Sequence, residues 1–265
     1  MSRKLNTRAY LQRIGLKSAA SADAQTLKRL HRQHLYTVPF ESLSIHLGEP
    51  VDLDEAALYD KIVRRRRGGF CYELNGLFAA LLRELGYPVI LLSAGVARLG
   101  GKFGPEFDHL LLLVELDRRW MVDVGFGENF KLPLDLDAAD AQVQGAKAYR
   151  ILRKDGYHIL QERSGAGRWN DSYRFTLTPR ELGDFEGMCR HHQTSPESHF
   201  TRNRLCSLAT SSGRKTLSGT RLIETGRNGA RRERSLANER EYRRLLRDLF
   251  GLRLPRGAAF KPKAA

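Results

Sequence analysis

RGGFCYELNGLFAALLRELG, residues 67–86, repeats apolar side chains at Cys71, Leu74, Leu77, Phe78, Leu81, Leu82 and Leu85 with spacings of three and four. This predicts an amphipathic helix with Cys71 in its first turn on the buried face, stopped by Gly86 and Pro88. Gly68 and Gly69 ahead of it let the backbone come close to a ligand. A thiol at that helix end faces the positive end of the peptide dipoles, which favours thiolate, and an imidazolium nearby would favour it further. A free Cys on an apolar face is more often inert packing, so the chemistry requires partners.

Working outward, the chain up to about Gly86 reads as helical. Residues 7–14 and 21–35 each follow a cap residue, the second ending before Val38-Pro39, and a third helix starts after Asp52 or Asp54 with Ala57, Leu58, Lys61 and Ile62 along one side. From Val89 the period becomes that of strands, at 89–98, 110–116, 120–124, 148–153, 157–161 and 172–177, with Asp155-Gly156 as a hairpin turn. Several short strands argue for a small antiparallel barrel or sandwich. Thr178-Pro179-Arg180-Glu181 reads as a capping box and Ser195-Pro196 as another helix start, whereas 201–235 is polar, Arg-rich and weakly patterned. A last helix runs from the cap residues Asn238 and Glu241 through Tyr242, Leu245, Leu246, Leu249 and Phe250 to Gly251, and the chain past Leu254 is expected to fray.

Two apolar runs carry ionisable residues: Phe107-Asp108-His109-Leu110-Leu111-Leu112-Leu113-Val114 and Trp120-Met121-Val122-Asp123-Val124-Gly125. Joined by the charged turn at Asp117-Arg118-Arg119, they form a plausible hairpin. If the register sets Asp123 opposite Leu111 or His109, imidazole and carboxylate share a face; a slip of one residue separates them. A satisfied core histidine and an unrelated turn aspartate are the bland alternative.

Bulk composition narrows the class. The 265 residues are 41% apolar and 28% charged, without the ~18-residue apolar run that a membrane span needs, so a soluble globular protein without a membrane partner is expected. No apolar signal core follows the charged N-terminus, which points to the cytoplasm. Cys71, Cys189 and Cys206 are odd in number and fit reduced thiols. Cys189, His191, His192 and Cys206 lack regular ligand spacing, so no metal is expected. Of the net charge of +15, residues 201–265 carry +12, from 17 Lys and Arg against 5 Asp and Glu. Such a segment suits nucleic acid, an anionic surface, a polyphosphorylated ligand, or simple solubility.

RGGFCYELN, then DHLLLLV, then VDVGFG together resemble the arylamine N-acetyltransferase family, as do Val38-Pro39-Phe40-Glu41-Ser42-Leu43 and Ser195-Pro196-Glu197-Ser198-His199-Phe200. The resemblance implies an α+β fold made of an N-terminal helical bundle, a central antiparallel β-barrel and a C-terminal α/β lid, with a papain-like Cys-His-Asp triad; the domains would span 1–86, 87–190 and 191–265. It implies acetyl transfer from acetyl-CoA, a co-substrate, to an arylamine or arylhydrazine. Cys71 would be the nucleophile, His109 the base and Asp123 its orienting group. Phe40, Phe126 and Phe200 would surround the acceptor, Gly125, Phe126 and Gly127 would meet the coenzyme, and Arg67 with Glu41 would form a structural pair. A monomer or homodimer is expected. The Arg64–Arg67 run and the basic tail exceed the family pattern and could draw CoA phosphates, and Asp108 is unusual beside His109, whose pKa it could raise. Two other classes stay open at this point: a polyanion-binding protein, supported only by the tail and not expected to bind nucleic acid for want of aromatic-basic interleaving, and a papain-like or transglutaminase-like amidase with the same Cys-His-Asp logic.

Overall fold

A computed structural model describes residues 5–19, 21–255 and 257–260. Met1–Lys4, part of the N-terminal stretch read for an export signal, lie outside the described residues. The chain opens with α1 (Thr7–Arg13), α2 (Ala24–Thr37), β1 (Phe40–Glu41), α3 (Leu43–Leu47), α4 (Glu55–Tyr59), which continues as a π-turn over Asp60–Arg64, and α5 (Cys71–Glu84). Side chains of Asn6, Asp23 and Asp54 accept backbone N–H bonds at the starts of α1, α2 and α4, satisfying donors that the first turn leaves free.

The helix quoted first is buried on every side from Cys71 to Leu82 and not along one stripe. Apolar residues mark one face; Tyr72, Glu73 and Asn75 occupy the others and find polar partners. The Lys61 ammonium lies 2.5 Å from Glu73, whose other oxygen accepts the Phe70 N–H. Truncating Leu77 in such a core costs about 2–5 kcal/mol.

An eight-stranded antiparallel sheet follows: β2 (Val89–Val96), β3 (His109–Glu115), β4 (Arg119–Val122), β5 (Leu134–Asp135), β6 (Gln142–Gln144), β7 (Lys147–Lys154), β8 (Tyr157–Ser164) and β9 (Asn170–Phe175), in the order β5-β4-β3-β2-β9-β8-β7-β6. Both Asp155 (φ 52°) and Gly156 (φ 78°) turn left-handed, as a two-residue β7–β8 hairpin requires. Where the two edge strands meet, glutamine amides replace a backbone ladder. Gln142 accepts the Asp135 N–H (2.8 Å) and donates to its carbonyl (2.9 Å), and Gln144 does the same for Leu132. The sheet is thereby a nearly closed barrel around Leu92, Leu111, Met121, Phe130, Leu160 and Tyr173.

Beyond β9, Glu181 and Asp184 cap a 3-10 turn at Leu182–Phe185, three residues later than the box expected at Thr178. The turn crosses α5 at Gly76 and leads into α6 (Glu186–Thr194) and α7 (His199–Arg202), the latter capped by Ser198 and not opened at Ser195. The weakly patterned segment is a sheet: β10 (Leu205–Thr210), β11 (Gly213–Ser218), β12 (Arg221–Gly226) and β13 (Arg231–Ser235), with β1 paired to β10 at Phe40↔Ser207. One face packs Cys206, Leu208, Leu217 and Leu222 against α8 (Glu239–Phe250). The end is less frayed than expected: Phe260 packs edge-on against Tyr242 and lies under Arg204, while Arg256 and 261–265 lie outside the described residues.

Candidate active site

The β3–β4 ladder pairs Leu112 with Val122, so one step further Leu111 faces Asp123 and the same-face condition is met. His109 Nε2 lies 2.9 Å from Asp123 Oδ2. Tyr173 Oη donates to that same oxygen at 3.0 Å, and Asn75 Nδ2 and the Gly125 N–H donate to Oδ1, each at 2.9 Å. Asp123 is buried, and burial alone pushes its carboxyl up. The His109 charge and these donors outweigh burial and hold it below the usual carboxylate range.

Further residues hold the loop that carries Asp123. Asn75 also accepts the Val124 N–H (2.9 Å) and donates to the Leu110 carbonyl (2.6 Å), tying α5 to β3. His31 on α2 is fully buried, which pushes its pKa down to about 4 and keeps the ring neutral. Its Nδ1 lies 3.0 Å from the Lys131 carbonyl oxygen, and its Nε2 lies 3.1 Å from the Asp123 carbonyl oxygen and 3.3 Å from the Asp123 backbone nitrogen. Nothing near His31, Asn75 or Tyr173 in sequence marks them for this role, because their partners lie 92, 48 and 50 residues away.

Cys71 begins α5 and shares with His109 a cavity of about 420 Å³. A Cβ on Gly125 would sit 2.8 Å from the Cys71 Cα, so only glycine lets the Asp123 loop lie on the Cys71 backbone. Burial pushes the Cys71 thiol up; the Leu110 N–H opposes this, and Cys189, Asp123 and Asp108 reinforce it. Burial thus works against the thiolate that the helix start favours, so the sulfur needs an imidazole to take its proton. Gly68 and Gly69 differ from expectation. A Cβ on Gly68 would lie 1.9 Å from the Pro39 carbonyl oxygen and one on Gly69 2.7 Å from Glu73, so they make room for the chain itself.

All three expected aromatic residues, Phe40, Phe126 and Phe200, line the cavity, as do Gly125 and Gly127. Phe126 meets His109 edge-on at 5.1 Å, and Phe40 and Phe200 are 6.0 Å apart. Glu41 and Arg67 form a buried bidentate pair, with Nε to Oε1 at 2.8 Å and Nη2 to Oε2 at 3.1 Å. The Asp108 carboxylate lies 3.3 Å from His192 Nε2 and accepts the Val96 N–H (3.3 Å); burial pushes its carboxyl up, and His192 and these contacts bring it below its ordinary value. The three cysteines are free, and among the described residues no His, Cys, Asp or Glu group is arranged to hold a metal. No described helix is long and apolar enough to cross a membrane.

The N-acetyltransferase family model matches residues 23–259. Arylamine N-acetyltransferase, pineal gland isozyme NAT-3, of Gallus gallus is 37% identical over 241 residues, covering 83% of this chain and 83% of that protein. The chain belongs to the arylamine N-acetyltransferase family. It is an acyltransferase of that family, similar also to the arylamine N-acetyltransferase of Mycolicibacterium smegmatis, 38% identical over 83% of this chain and 82% of that one. Among solved structures, the arylamine N-acetyltransferase of M. tuberculosis superposes with a TM-score of 0.87 at 32% identity, over 93% of this chain and 94% of that one. The enzyme of Mycobacterium marinum in complex with CoA superposes with a TM-score of 0.86 at 30% identity, over 93% of both chains. The α+β barrel architecture expected from the sequence is the architecture of these neighbours.

Proposed function

We propose that this acyltransferase carries acetyl from acetyl-CoA to the nitrogen of an arylamine or arylhydrazine by a ping-pong reaction through acetyl-Cys71. The observation that supports this most is the Asp123 carboxylate, fully occupied by four donors and aimed at His109, in a cavity that also holds Cys71. An orienting carboxylate fixes the imidazole tautomer, so the opposite ring nitrogen is left to exchange protons. His109 takes the thiol proton, the sulfur attacks the thioester carbonyl, and the Cys71 N–H at the start of α5 receives the developing oxyanion. Thioester exchange is close to isoenergetic, so CoA leaves with the proton from His109.

The acceptor nitrogen then attacks acetyl-Cys71, and His109 accepts its proton. Phe40, Phe126 and Phe200 form flat apolar walls for a flat ring, and an aryl amine reaches them uncharged at neutral pH. Gly125, Phe126 and Gly127 border the same space, where the acyl end of CoA enters.

Mixing the protein with acetyl-CoA alone and weighing the intact chain tests the scheme. One acetyl adduct on Cys71, absent in Cys71→Ala, together with parallel initial-velocity lines against an aromatic hydrazine, is expected. Intersecting lines with no adduct would sink it.

A further inference from the structure

The basic tail leaves one arginine in the cavity wall. On the β10–β11 hairpin, Ala209 pairs with Arg214 and Ser207 with Thr216, so Ser207, Arg214 and Thr216 share the face opposite Cys206, Leu208 and Leu217. All three border the cavity that holds Cys71. Arg214 Nη1 donates to Ser207 Oγ at 2.9 Å, and that oxygen lies 2.7 Å from Thr216 Oγ1, so one hydroxyl, itself braced by a second, holds the guanidinium.

Charge pairing sets Arg214 apart. Arg204, Arg221, Arg231 and Arg234 each lie within 4.0 Å of a glutamate oxygen, and Arg202, Arg227, Arg232, Arg240 and Arg253, which have no such partner, are exposed to solvent. Among the described residues Arg214 has no carboxylate at that range. The carboxylate acting on it most strongly, Glu128, is held by Lys147 at 3.1 Å. Burial pushes the Arg214 pKa down from its ordinary value, the response of a cation short of both water and a counter-ion. A planar fork so placed matches a planar carboxylate in two-point contact.

We infer that Arg214 selects acceptor amines bearing an anionic ring substituent, an aminobenzoate carboxylate above all, over neutral arylamines. This rests on the transferase function proposed above. The phosphates of CoA have a better place. They lie at the far end of the pantetheine arm from the reacting sulfur, and a separate groove lined by Arg98, Lys102 and Arg202 shares only His199 with the cavity.

The test compares 4-aminobenzoate with 4-methylaniline, neutral and similar in shape, in the full-length protein and in Arg214→Met and Arg214→Lys. In Arg214→Met, kcat/KM for 4-aminobenzoate is expected to fall about 10- to 100-fold more than for 4-methylaniline, with the acetyl-CoA KM little changed. Arg214→Lys, which keeps the charge and loses the fork, is expected to lie between. An equal fall for both amines with a raised acetyl-CoA KM would assign Arg214 to the coenzyme and overturn the inference. So would an unchanged ratio in both variants, while the transferase function stood. If the unaltered protein released CoA with neither amine, the function itself would fail and the inference with it.

Discussion

Tyr173 on β9 and His109 on β3 share one oxygen of Asp123, at 3.0 and 2.9 Å. The imidazole is thus steered by a carboxylate whose position the barrel sets from the opposite side. Tyr173→Phe removes a donor to a charged acceptor, worth about 1.5–3 kcal/mol. Since the three other donors to Asp123 remain, kcat/KM is expected to fall about tenfold, and the acidic limb of its pH profile to move upward. A pH–rate profile identical to that of the unaltered protein would show that Tyr173 only fills space.

The Glu41–Arg67 pair fastens the segment before Cys71 to β1 and α3, since Glu41 also accepts the N–H groups of Leu43 (2.7 Å) and Gly68 (3.3 Å). Arg67→Met strands a buried carboxylate and should cost about 3–5 kcal/mol of unfolding free energy, whereas Glu41→Gln with Arg67→Met should recover part of it. The pH dependence has a definite sign. Burial pushes Glu41 up, yet Arg67, Lys61 and the Leu43 N–H hold it net below its ordinary value. A depressed folded pKa gives stability that is present above the unfolded pKa and lost as pH falls through the folded one. Urea titrations of the unaltered protein should therefore weaken below about pH 4.5, and less steeply so in Arg67→Met.

Cys71 offers a check on its dependence on His109. With burial disfavouring the thiolate, the imidazole must supply the compensation. In His109→Gln the pH midpoint for iodoacetamide alkylation of Cys71 should move up by about 1–3 units. An unmoved midpoint would mean that the helix terminus alone sets the thiol.

Gly125→Ala tests the packing of the loop on Cys71. Its Cβ would meet Asn75 Nδ2 at 2.7 Å and the Cys71 Cα at 2.8 Å, so the loop must shift by a substantial fraction of an ångström. A loss of about 100-fold in kcat/KM is expected, with circular dichroism unchanged.

What could be read from the chain and what could not follow the range of the interactions. Helix α5, the β7–β8 turn and α8 are written in local periodicity and turn chemistry. The sheet at 205–235 follows from the α/β lid that the family resemblance implies but is not legible in the pattern, because its cavity face carries Ser207, Arg214 and Thr216, so the alternation that marks a half-buried strand is polar on both sides at most positions. The short helix expected to open at Thr178 starts three residues later, and nothing in the pattern marks the extent of its continuation α6, because only Cys189 is buried on it. At the site, Cys71, His109 and Asp123 stand out by their apolar flanks. His31, Asn75 and Tyr173 act entirely through contacts that the fold creates.

The pairing of Phe40 with Ser207 has a consequence for synthesis of the chain. The bundle, Cys71 and the barrel leave the ribosome before β10 exists, so the nascent protein holds Cys71 in an unroofed trough. Acetylating competence should arrive only when the last quarter of the chain folds back onto Phe40 and Glu41, and a chain released early would carry Cys71, His109 and Asp123 with no chamber around them.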